Sequence, residues 1–349
     1  MTPSRLNLGM LPLHLTVLPA CDPARFARLG AGLLAHGHEV PLLAVAGLST
    51  EALLLGRHQR ASSSVDLAAA AEVPVLRRTG GGRALLVGPG AVGLLVYTPP
   101  GQPLAPRPFP PDRTTNRYVR GLLGALRRLG AGHAVWFGRD FVTNDGRRVA
   151  TVAQEGTAGG ALLLEALIAV ERDLTLPGGL AVARAHSDPR VEGPPPVLLG
   201  DLAGRAIALD EMAATLATCF GLLGNREPLL LEADLPEAEH PPAREDEVGL
   251  AESGAQEIPI GFLEALAGSS AGRLVGPRIR GDFIAPAETL RTLEASLEGA
   301  PLDPAGIGQR VDEAFHGPGA FLQGVTRLGD VARAVNLAGR AAAARTGVA

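Results

Sequence analysis

Short apolar runs suited to strands alternate along this chain with segments whose apolar residues recur at helical spacing. In residues 22–35 this spacing is regular, and Asp22 precedes Pro23 in the order that is typical of a helix N-terminus. Residues 115–129 have the same pattern, with arginines on the outer face. Further helices are expected near Asp210–Leu223, Ala287–Glu298 and Gly306–His316. The strand-like runs are Leu13–Leu18, Val40–Val45, Ala52–Leu55, Val73–Leu76, Ala84–Val87, Gly93–Tyr97, Ala134–Phe137, Phe141–Thr143, Arg147–Ala153, Gly160–Val170 and Arg273–Ile284.

The composition excludes several classes of function. The chain has 349 residues, of which 46% are hydrophobic, so it can bury a sizeable core and is long enough for two or three domains. The formal charge of −4 and the lack of a clustered basic face give no sign of a nucleic-acid surface. The apolar runs are too short and too interrupted to span a bilayer. We therefore expect a protein that binds neither nucleic acid nor membrane.

The N-terminus and the cysteine content favour a cytoplasmic protein. Pro12 and His14 interrupt the mildly apolar N-terminal stretch, which has no clear signal-peptide cleavage site. Cys21 and Cys219 are too few for a disulfide framework, which makes a reducing compartment the simpler setting. Both thiols are expected to be buried, as free cysteines usually are.

Lysine does not occur in this sequence, so all 32 basic residues are arginine. The chain therefore has no side-chain amine for Schiff-base chemistry, for acyl transfer or for holding a phosphate as a compact point charge. Any cationic site must be built from planar guanidinium groups, which suit carboxylates and phosphates through paired hydrogen bonds.

A glycine-rich stretch is the strongest chemical signal. Arg77 and Arg78 precede the three consecutive glycines Gly80–Gly82, and apolar runs lie on both sides. Glycines let the backbone approach a ligand closely and present its N–H groups, while arginines add donors for an anion. The stretch matches neither a P-loop nor a dinucleotide-binding fingerprint. It predicts a site for an anionic nucleotide or acyl phosphate, and the alternative is a flexible turn with solvated arginines.

An acidic, proline-containing segment divides the chain. We predict a first domain over residues 1–230, an acidic linker over 231–254 and a second compact domain over 255–349. No internal repeat of fixed period is found.

Four stretches resemble the lipoate–protein ligases of the biotin/lipoate ligase and octanoyltransferase superfamily. The run Arg77–Ala84 resembles the family's RR-x-(S)GGG-A signature with Arg83 as one extra residue, and Ala52–Gln59 is similar to the strand ending in LGR-Q upstream of it. Residues 138–154 resemble the family's GR-N-D … DGRK hairpin, in which Asp145-Gly146 is a type I′ turn signal. The tail over residues 280–302 is similar to the small accessory domain that follows these ligases.

The resemblance implies an α/β (α+β) fold, with a mixed sheet flanked by helices and a small C-terminal α+β accessory domain. It implies an enzyme that uses ATP and Mg²⁺ to join lipoate to AMP. The acyl group would then pass to a lysine on a lipoyl carrier domain of a 2-oxoacid dehydrogenase or glycine-cleavage protein. In this reading Arg148 stands at the catalytic lysine, and the residues that line the acyl-adenylate are Arg77, Arg78, Gly80, Gly81, Gly82, Asp140 and Gln154.

Several positions depart from the family pattern. Arg148 replaces the lysine, Thr151 stands where a glycine is usual, and the family's His pair maps to Leu163 and Leu164. Val87-Gly88 replaces a His-Asp pair. The departures leave two hypotheses open: an active ligase in which Arg148 substitutes for lysine, and a non-catalytic protein that binds an acyl group, a nucleotide or a carrier protein.

Other candidate chemistry is less favoured by the pattern. Cys219 is the plausible nucleophile of an octanoyltransferase variant, but its apolar helical setting favours a core thiol. His58 and His133 are single histidines near strand ends, for which loop packing is expected. Glu155 and Glu165 are candidates for acid–base work, although solvated carboxylates are commoner. No zinc pattern, metal-ligand cluster or Gly-x-Ser-x-Gly motif is present in the sequence.

Overall fold

The computed structural model describes residues 11–105, 111–182, 193–232, 234–239 and 250–345. The strands are β1 Leu11–Cys21, β2 Leu42–Leu48, β3 Ala52–Leu55, β4 Val75–Arg77, β5 Leu85–Val87, β6 Ala91–Thr98, β7 Ala134–Val135, β8 Phe141–Asn144, β9 Arg147–Gly156, β10 Leu162–Ala169, β11 Arg226–Leu230, β12 Ala251–Glu252, β13 Gln256–Ile258, β14 Gly261–Ser270 and β15 Arg273–Gly281. The helices are α1 Pro23–His36, α2 Ala61–Ser64, α3 Pro111–Arg128, α4 Leu199–Ala203, α5 Leu209–Gly224, α6 Ala287–Leu297, α7 Pro304–Phe315 and α8 Leu328–Arg345.

The largest layer is a mixed sheet of eight strands in the order β11-β1-β2-β6-β10-β9-β8-β7. Strand β1 pairs in parallel with β2 and β11, whereas β6, β10, β9 and β8 are joined as antiparallel neighbours. Apolar side chains on one face pack against α3 and α5. Those on the other face pack against α1 and the strands β3 and β5. The expected mixed sheet flanked by helices is confirmed.

A small three-stranded sheet, β4-β3-β5, carries the glycine-rich stretch. Strand β3 pairs in parallel with β4 and antiparallel with β5, so the connection between β4 and β5 crosses the end of β3. Leu54 and Leu85 of this sheet share a core with Phe26 and Leu29 of α1. This packing fixes the glycine-rich connection against the main sheet.

The C-terminal part forms a second core. Strands β12, β13 and β15 all pair with β14 in a four-stranded sheet, against which α8 packs, with α6 and α7 alongside. Ala153 of β9 belongs to this core, so the two parts are in direct contact. Strand β12 lies within the segment predicted as linker, and residues 233 and 240–249 of that segment lie outside the described residues. The division into domains stays a prediction.

Two local predictions are confirmed by backbone geometry. The Asp22 side chain accepts a hydrogen bond of 2.8 Å from the Ala24 amide and so caps α1, with Pro23 in its first turn. Asp145 and Gly146 have φ angles of 48° and 72°, as a type I′ turn between β8 and β9 requires. Both features depend on neighbouring residues only.

Other boundaries differ from the sequence expectations. Strand β15 ends at Gly281 instead of Ile284, because Phe283 and Ile284 turn away to contact the glycine-rich connection. Helix α3 begins at Pro111, earlier than expected. The sequence patterns did not identify β11, β14 or α8. Across the described ranges, no helix combines the length and apolar character needed to cross a membrane.

We predict that Gly93→Ala destabilises the fold. Gly93 lies in the middle of β6, and a Cβ there would lie 2.5 Å from Cε2 of the buried Phe26. Overpacking of this kind costs about 1–3 kcal/mol in the free energy of unfolding, which denaturant titration would measure. The control is Gly132→Ala, where an added Cβ has no neighbour within 4 Å. Equal unfolding free energies for the two variants would contradict the packing of α1 on β6.

Candidate functional site

The glycine-rich connection is buried between β9 and the C-terminal part of the chain. A Cβ on Gly80 would collide with Ala153 of β9, and one on Gly81 would collide with the backbone of Phe283. Gly82 has a φ of +89°, and its amide donates a hydrogen bond of 3.2 Å to the Phe283 carbonyl. Glycine is therefore required here for close packing against β9 and the C-terminal part.

Arg77 is buried and holds the turn that follows β3. Its Nη1 donates to the carbonyl oxygens of Gly56, Arg57 and Gln59 at 3.2, 2.9 and 2.6 Å. These contacts satisfy backbone acceptors inside the protein. The structure thus gives Arg77 internal partners in the turn after β3.

Arg78 forms a buried ion pair with Glu165 of β10. The distance from Arg78 Nη1 to Glu165 Oε1 is 3.0 Å, and the two side chains are 3% and 1% exposed. Glu165 Oε2 accepts a hydrogen bond of 3.2 Å from the Gly80 amide. Arg78 also donates to the Arg83 carbonyl at 3.1 Å. The Glu165 carboxylate therefore accepts hydrogen bonds from the Arg78 guanidinium and the Gly80 amide, two groups that the sequence predicted to face a ligand.

A second cationic group lies where β9 begins. A bulge opposite Thr143 in the β8–β9 pairing interrupts the alternation of side chains at Arg148. The Arg148 guanidinium is buried and bonds to the Thr175 hydroxyl. Burial lowers the pKa of Arg148, and the charge of Arg83 lowers it further, whereas Asp173 and Asp140 act in the opposite direction. The bulge thus aims Arg148 towards Arg83 of the glycine-rich connection.

Arg83 and Asp140 complete this group. Arg83 Nε lies 3.2 Å from Asp140 Oδ2 and donates to the Ile260 carbonyl at 3.0 Å. The other Asp140 oxygen, Oδ1, is buried without a hydrogen-bond partner among the described residues. We name Arg83, Asp140, Arg148, Asp173 and Thr175 the arginine cluster.

The arginine cluster suits an anion better than a cation. Arg148 is buried and Arg83 is half-buried, and their charges repel each other. Asp140 and Asp173 offset part of this repulsion, and an incoming carboxylate or phosphate would offset more of it. A divalent cation would meet both positive charges. Within the described ranges no three His, Cys, Asp or Glu side chains converge as metal ligands. The residues present therefore do not fit a resident Mg²⁺ ion.

Gln154 is not brought together with the arginine cluster. It is buried, and it hydrogen-bonds the Thr115 hydroxyl of α3, which in turn accepts from Gln323 at 3.0 Å. Its side chain therefore lies on the α3 face of the sheet. Leu163 and Leu164 enter the cores on opposite faces, and the buried Thr151 hydroxyl has no hydrogen-bond partner in the described ranges.

Glu155 is buried at the other end of β9. Its Oε1 accepts hydrogen bonds from the amides of Ala287 and Gly156, at 2.9 and 3.1 Å. Its Oε2 has no hydrogen-bond partner among the described residues. Burial raises the pKa of Glu155 to about 7, although Arg57 and Arg291 act in the opposite direction. The expected solvated carboxylate is therefore replaced by a buried one at the N-terminus of α6.

The cysteines and histidines lie in ordinary structural settings. Cys21 and Cys219 are buried, and burial raises the pKa of both thiols, to about 11 for Cys21. His58 stacks on Phe283 with ring centroids 5.1 Å apart, and burial lowers its pKa to about 3. His133 is exposed beside Asp145. The expectation of buried thiols is confirmed.

Sequence reasoning missed two members of the arginine cluster. Asp173 and Thr175 follow β10 in a segment without a recognisable motif, so no sequence signal was available for them. Arg83 is one extra residue in the glycine-rich motif, and this insertion is the sequence feature that could have marked it as a site residue.

Comparison with known proteins identifies one family and several similar folds. Residues 34–219, more than half of the chain, match the model of the lipoyl protein ligase A/B catalytic domain. The fold is similar to LipL1 of P. falciparum, solved in complex with lipoate, with a TM-score of 0.63, 14% identity, and 86% of this chain and 94% of that chain covered. A bipartite lipoate protein ligase from Thermoplasma acidophilum, studied with its E2 lipoyl domain, has a TM-score of 0.50 and 16% identity, covering 63% and 88%. No curated protein sequence matches.

We predict that separating Arg78 from Glu165 costs about 3–5 kcal/mol in the free energy of unfolding, because either partner alone is a buried charge. Arg78→Gln and Glu165→Gln would be measured by denaturant titration, singly and together. The control is Arg205→Gln, whose partner Glu211 forms an exposed pair, and it should remain close to wild type. A double variant that loses the sum of the two single losses would contradict the pairing.

We predict that Glu155→Gln changes how stability depends on pH. Since the pKa rises from 4.5 to about 7 on folding, the folded chain holds an extra proton between these values. Wild-type stability then falls as pH rises through that window, because ionised Glu155 is buried. The glutamine variant should gain up to about 3 kcal/mol relative to wild type between pH 4 and pH 8. Parallel unfolding curves for both proteins, with exposed Glu313→Gln as control, would contradict this.

Proposed function

Because this chain belongs to the family of lipoyl protein ligase A/B catalytic domains, we propose that it joins lipoate to AMP and transfers the lipoyl group to a carrier protein. The match spans both the glycine-rich connection and Arg148. ATP is the proposed source of AMP. The proposed acceptor is a lysine on the lipoyl domain of a 2-oxoacid dehydrogenase or glycine-cleavage protein, in the cytoplasm.

The arginine cluster is the observation that carries this proposal. Arg148 is buried and Arg83, within the glycine-rich connection, is half-buried; Asp140 pairs with Arg83. Lipoate brings a carboxylate and ATP brings phosphates, and guanidinium groups bind either anion through paired hydrogen bonds, in addition to the contacts that Asp140 and Asp173 already provide. Arg148 keeps the positive charge of the family's lysine but presents it as a planar fork.

The proposed reaction has two steps, formation of lipoyl-AMP and transfer of the lipoyl group. In the first, a lipoate carboxylate oxygen attacks the α-phosphorus of ATP, forming lipoyl-AMP and releasing pyrophosphate. Fixed guanidinium groups stabilise the negative charge that develops on the phosphate oxygens. In the second, the carrier's lysine amine attacks the acyl carbonyl, forming an amide and releasing AMP. Since this chain has no lysine, its own side chains offer no competing amine.

Mg²⁺ would reach this site as the companion of ATP. Asp140 Oδ1 is an unpartnered carboxylate oxygen within the described ranges, but Arg83 lies against the same carboxyl group. A cation at this position would have to arrive already coordinated by phosphate.

The acyl-adenylate role proposed for Arg77, Arg78 and Gly80–Gly82 requires a rearrangement. Arg78 and the Gly80 amide contact Glu165, and the Gly82 amide contacts Phe283. A ligand at these donors must displace Glu165. This observation favours a second candidate function, in which the chain binds an acyl group, a nucleotide or a carrier domain without catalysis.

Similar structures support the ligand classes in this proposal. LipL1 of P. falciparum was solved with lipoate, and the Thermoplasma acidophilum ligase was studied with its E2 lipoyl domain. Both proteins share the fold of this chain at 14% and 16% identity, and we propose the same classes of ligand for it.

We predict that lipoate and ATP yield lipoyl-AMP bound to this protein, which mass spectrometry of the incubated protein would detect. Arg148→Ala should lower adenylate formation at least tenfold, since loss of one fixed donor in such a site costs about two orders of magnitude. Arg148→Lys, which installs the family's residue, should retain or raise the rate. The control is Arg147→Ala, which removes the exposed neighbouring arginine from the same hairpin.

Two outcomes separate the candidate functions. Adenylate formation that depends on Arg148 but not on Arg147 supports a ligase. If no adenylate forms in wild type or Arg148→Lys, while calorimetry still detects lipoate or lipoyl-AMP binding, the chain is the non-catalytic binder. Absence of both adenylate and binding overturns both candidates.

A further inference from the structure

Two histidine side chains that take no part in the proposed reaction lie in direct contact. His14 belongs to β1, and His38 lies in the connection between α1 and β2. Nδ1 of His14 and Nε2 of His38 are 2.8 Å apart, and the two rings have an interplanar angle of 63°. One of these nitrogens can donate a hydrogen bond to the other when both imidazoles are neutral. The same nitrogens are also the atoms by which histidine binds transition metals.

The backbone on both sides fixes this approach. The His14 amide donates a hydrogen bond of 2.9 Å to the Pro41 carbonyl, which ties β1 to the connection that carries His38. The Tyr97 hydroxyl of β6 bonds to the backbone of His38. The two histidines are 24 positions apart in the chain, so the fold brings their nitrogens together. A ligand that needs both nitrogens therefore finds them already adjacent.

Both imidazoles are at the surface and can stay neutral. The two side chains are half-buried. Burial lowers the pKa of His38 and His14 lowers it further, whereas Glu39 acts in the opposite direction. Neutral imidazole is the form that binds a metal ion.

The surroundings of the pair favour a cation. Strand β1 places His14 between Leu42 of β2 and Leu229 of β11, which carry no charge. Glu39 is exposed beside His38, and α1 ends close by, where the last carbonyl groups of a helix carry partial negative charge. Among the described residues, no arginine acts on the titration of His38.

The distance between the two nitrogens selects a class of metal. If a metal ion lies 2.0–2.1 Å from each nitrogen, a separation of 2.8 Å gives an angle of roughly 86° at the metal. The ion then lies roughly 1.5 Å to one side of the line that joins the nitrogens, so the rings need not move apart. A tetrahedral ion would need a separation of about 3.3 Å. Near-right angles are typical of Ni²⁺ and Cu²⁺ with nitrogen ligands.

We propose that His14 and His38 form a binding site for one Ni²⁺ or Cu²⁺ ion. No third His, Cys, Asp or Glu side chain joins the pair within the described ranges, so water completes the coordination. The two ligands come from different elements, and the bound ion therefore ties the connection before β2 to β1. The site is independent of the proposed ligase chemistry and uses none of its residues.

Isothermal titration calorimetry with NiCl₂ tests this site, after the full-length protein has been treated with EDTA and dialysed. We expect saturable binding of one ion per chain at neutral pH. Zn²⁺, which prefers tetrahedral angles, should bind less tightly than Ni²⁺. Absence of saturable Ni²⁺ binding, or tighter binding of Zn²⁺, would overturn the proposal.

Variants assign the binding to these two side chains. His14→Gln and His38→Gln should each lower the Ni²⁺ affinity at least about tenfold, because loss of even an outer partner of a metal ligand costs that much. The controls are His36→Gln, at the exposed end of α1, and His316→Gln, at the exposed end of α7, and both should bind as wild type does. Unchanged affinity in His14→Gln and His38→Gln overturns the site. So does loss in His36→Gln with retention in His14→Gln, since the ion would then lie on the connection alone.

Electron paramagnetic resonance makes the test independent of how well the variants fold. Wild-type protein with one equivalent of Cu²⁺ should show coupling of the copper electron spin to two imidazole nitrogens. Coupling to one nitrogen or to none contradicts the two-histidine site. Neither measurement involves lipoate or ATP, so the result stands whether or not lipoyl-AMP is ever formed.

Discussion

The Glu165 carboxylate organises the centre of this molecule. It pairs with the Arg78 guanidinium and accepts the Gly80 amide, so β10 of the main sheet holds both ends of the arginine–glycine turn. All three groups are buried, and each would carry an unsatisfied charge or amide without the others. The glycines in this turn are required because Ala153 and Phe283 approach its backbone from two sides. The motif is therefore structural in the conformation described, whatever ligand it also meets.

The C-terminal part completes the packing around this turn. Asp282 accepts hydrogen bonds from the Gln59 side chain at 2.6 Å and the Phe262 amide at 2.7 Å, and the Gly281 amide donates to the backbone carbonyl of His58 at 2.9 Å. These contacts join the turn after β3 to the C-terminal sheet. A ligand that reaches the glycine-rich connection must therefore loosen Glu165, the C-terminal part or both. An anion at the arginine cluster would not need to displace Glu165, because Arg148 bonds to the Thr175 hydroxyl and Arg83 pairs with Asp140.

The sequence predicted features whose causes are local. The Asp22 cap, the Asp145-Gly146 turn and the main-sheet strands depend on neighbouring residues or on apolar periodicity, and the structure contains them. It did not predict that Glu165 would pair with Arg78, because 87 residues separate them and only the strand register brings them together. Asp173 and Thr175 approach Arg148 from the segment that follows β10, 25 and 27 residues along the chain. The sequence patterns did not identify β14, although most of its residues are apolar. Its place in the fold depends on pairing with three other strands, which the sequence of β14 alone does not specify.

The bulge beside Thr143 has a consequence for the evolution and design of this hairpin. Val149, Ala150 and Val152 all face the α3 core, and only the irregular pairing lets Arg148 turn the other way. Deleting one residue here would rotate the guanidinium into hydrocarbon, although every amino acid around it stayed the same. The position of the cation is thus encoded by chain length as much as by residue identity. To move this charge to the other face of the sheet, one would insert or delete a residue at the β8–β9 bulge instead of substituting a side chain.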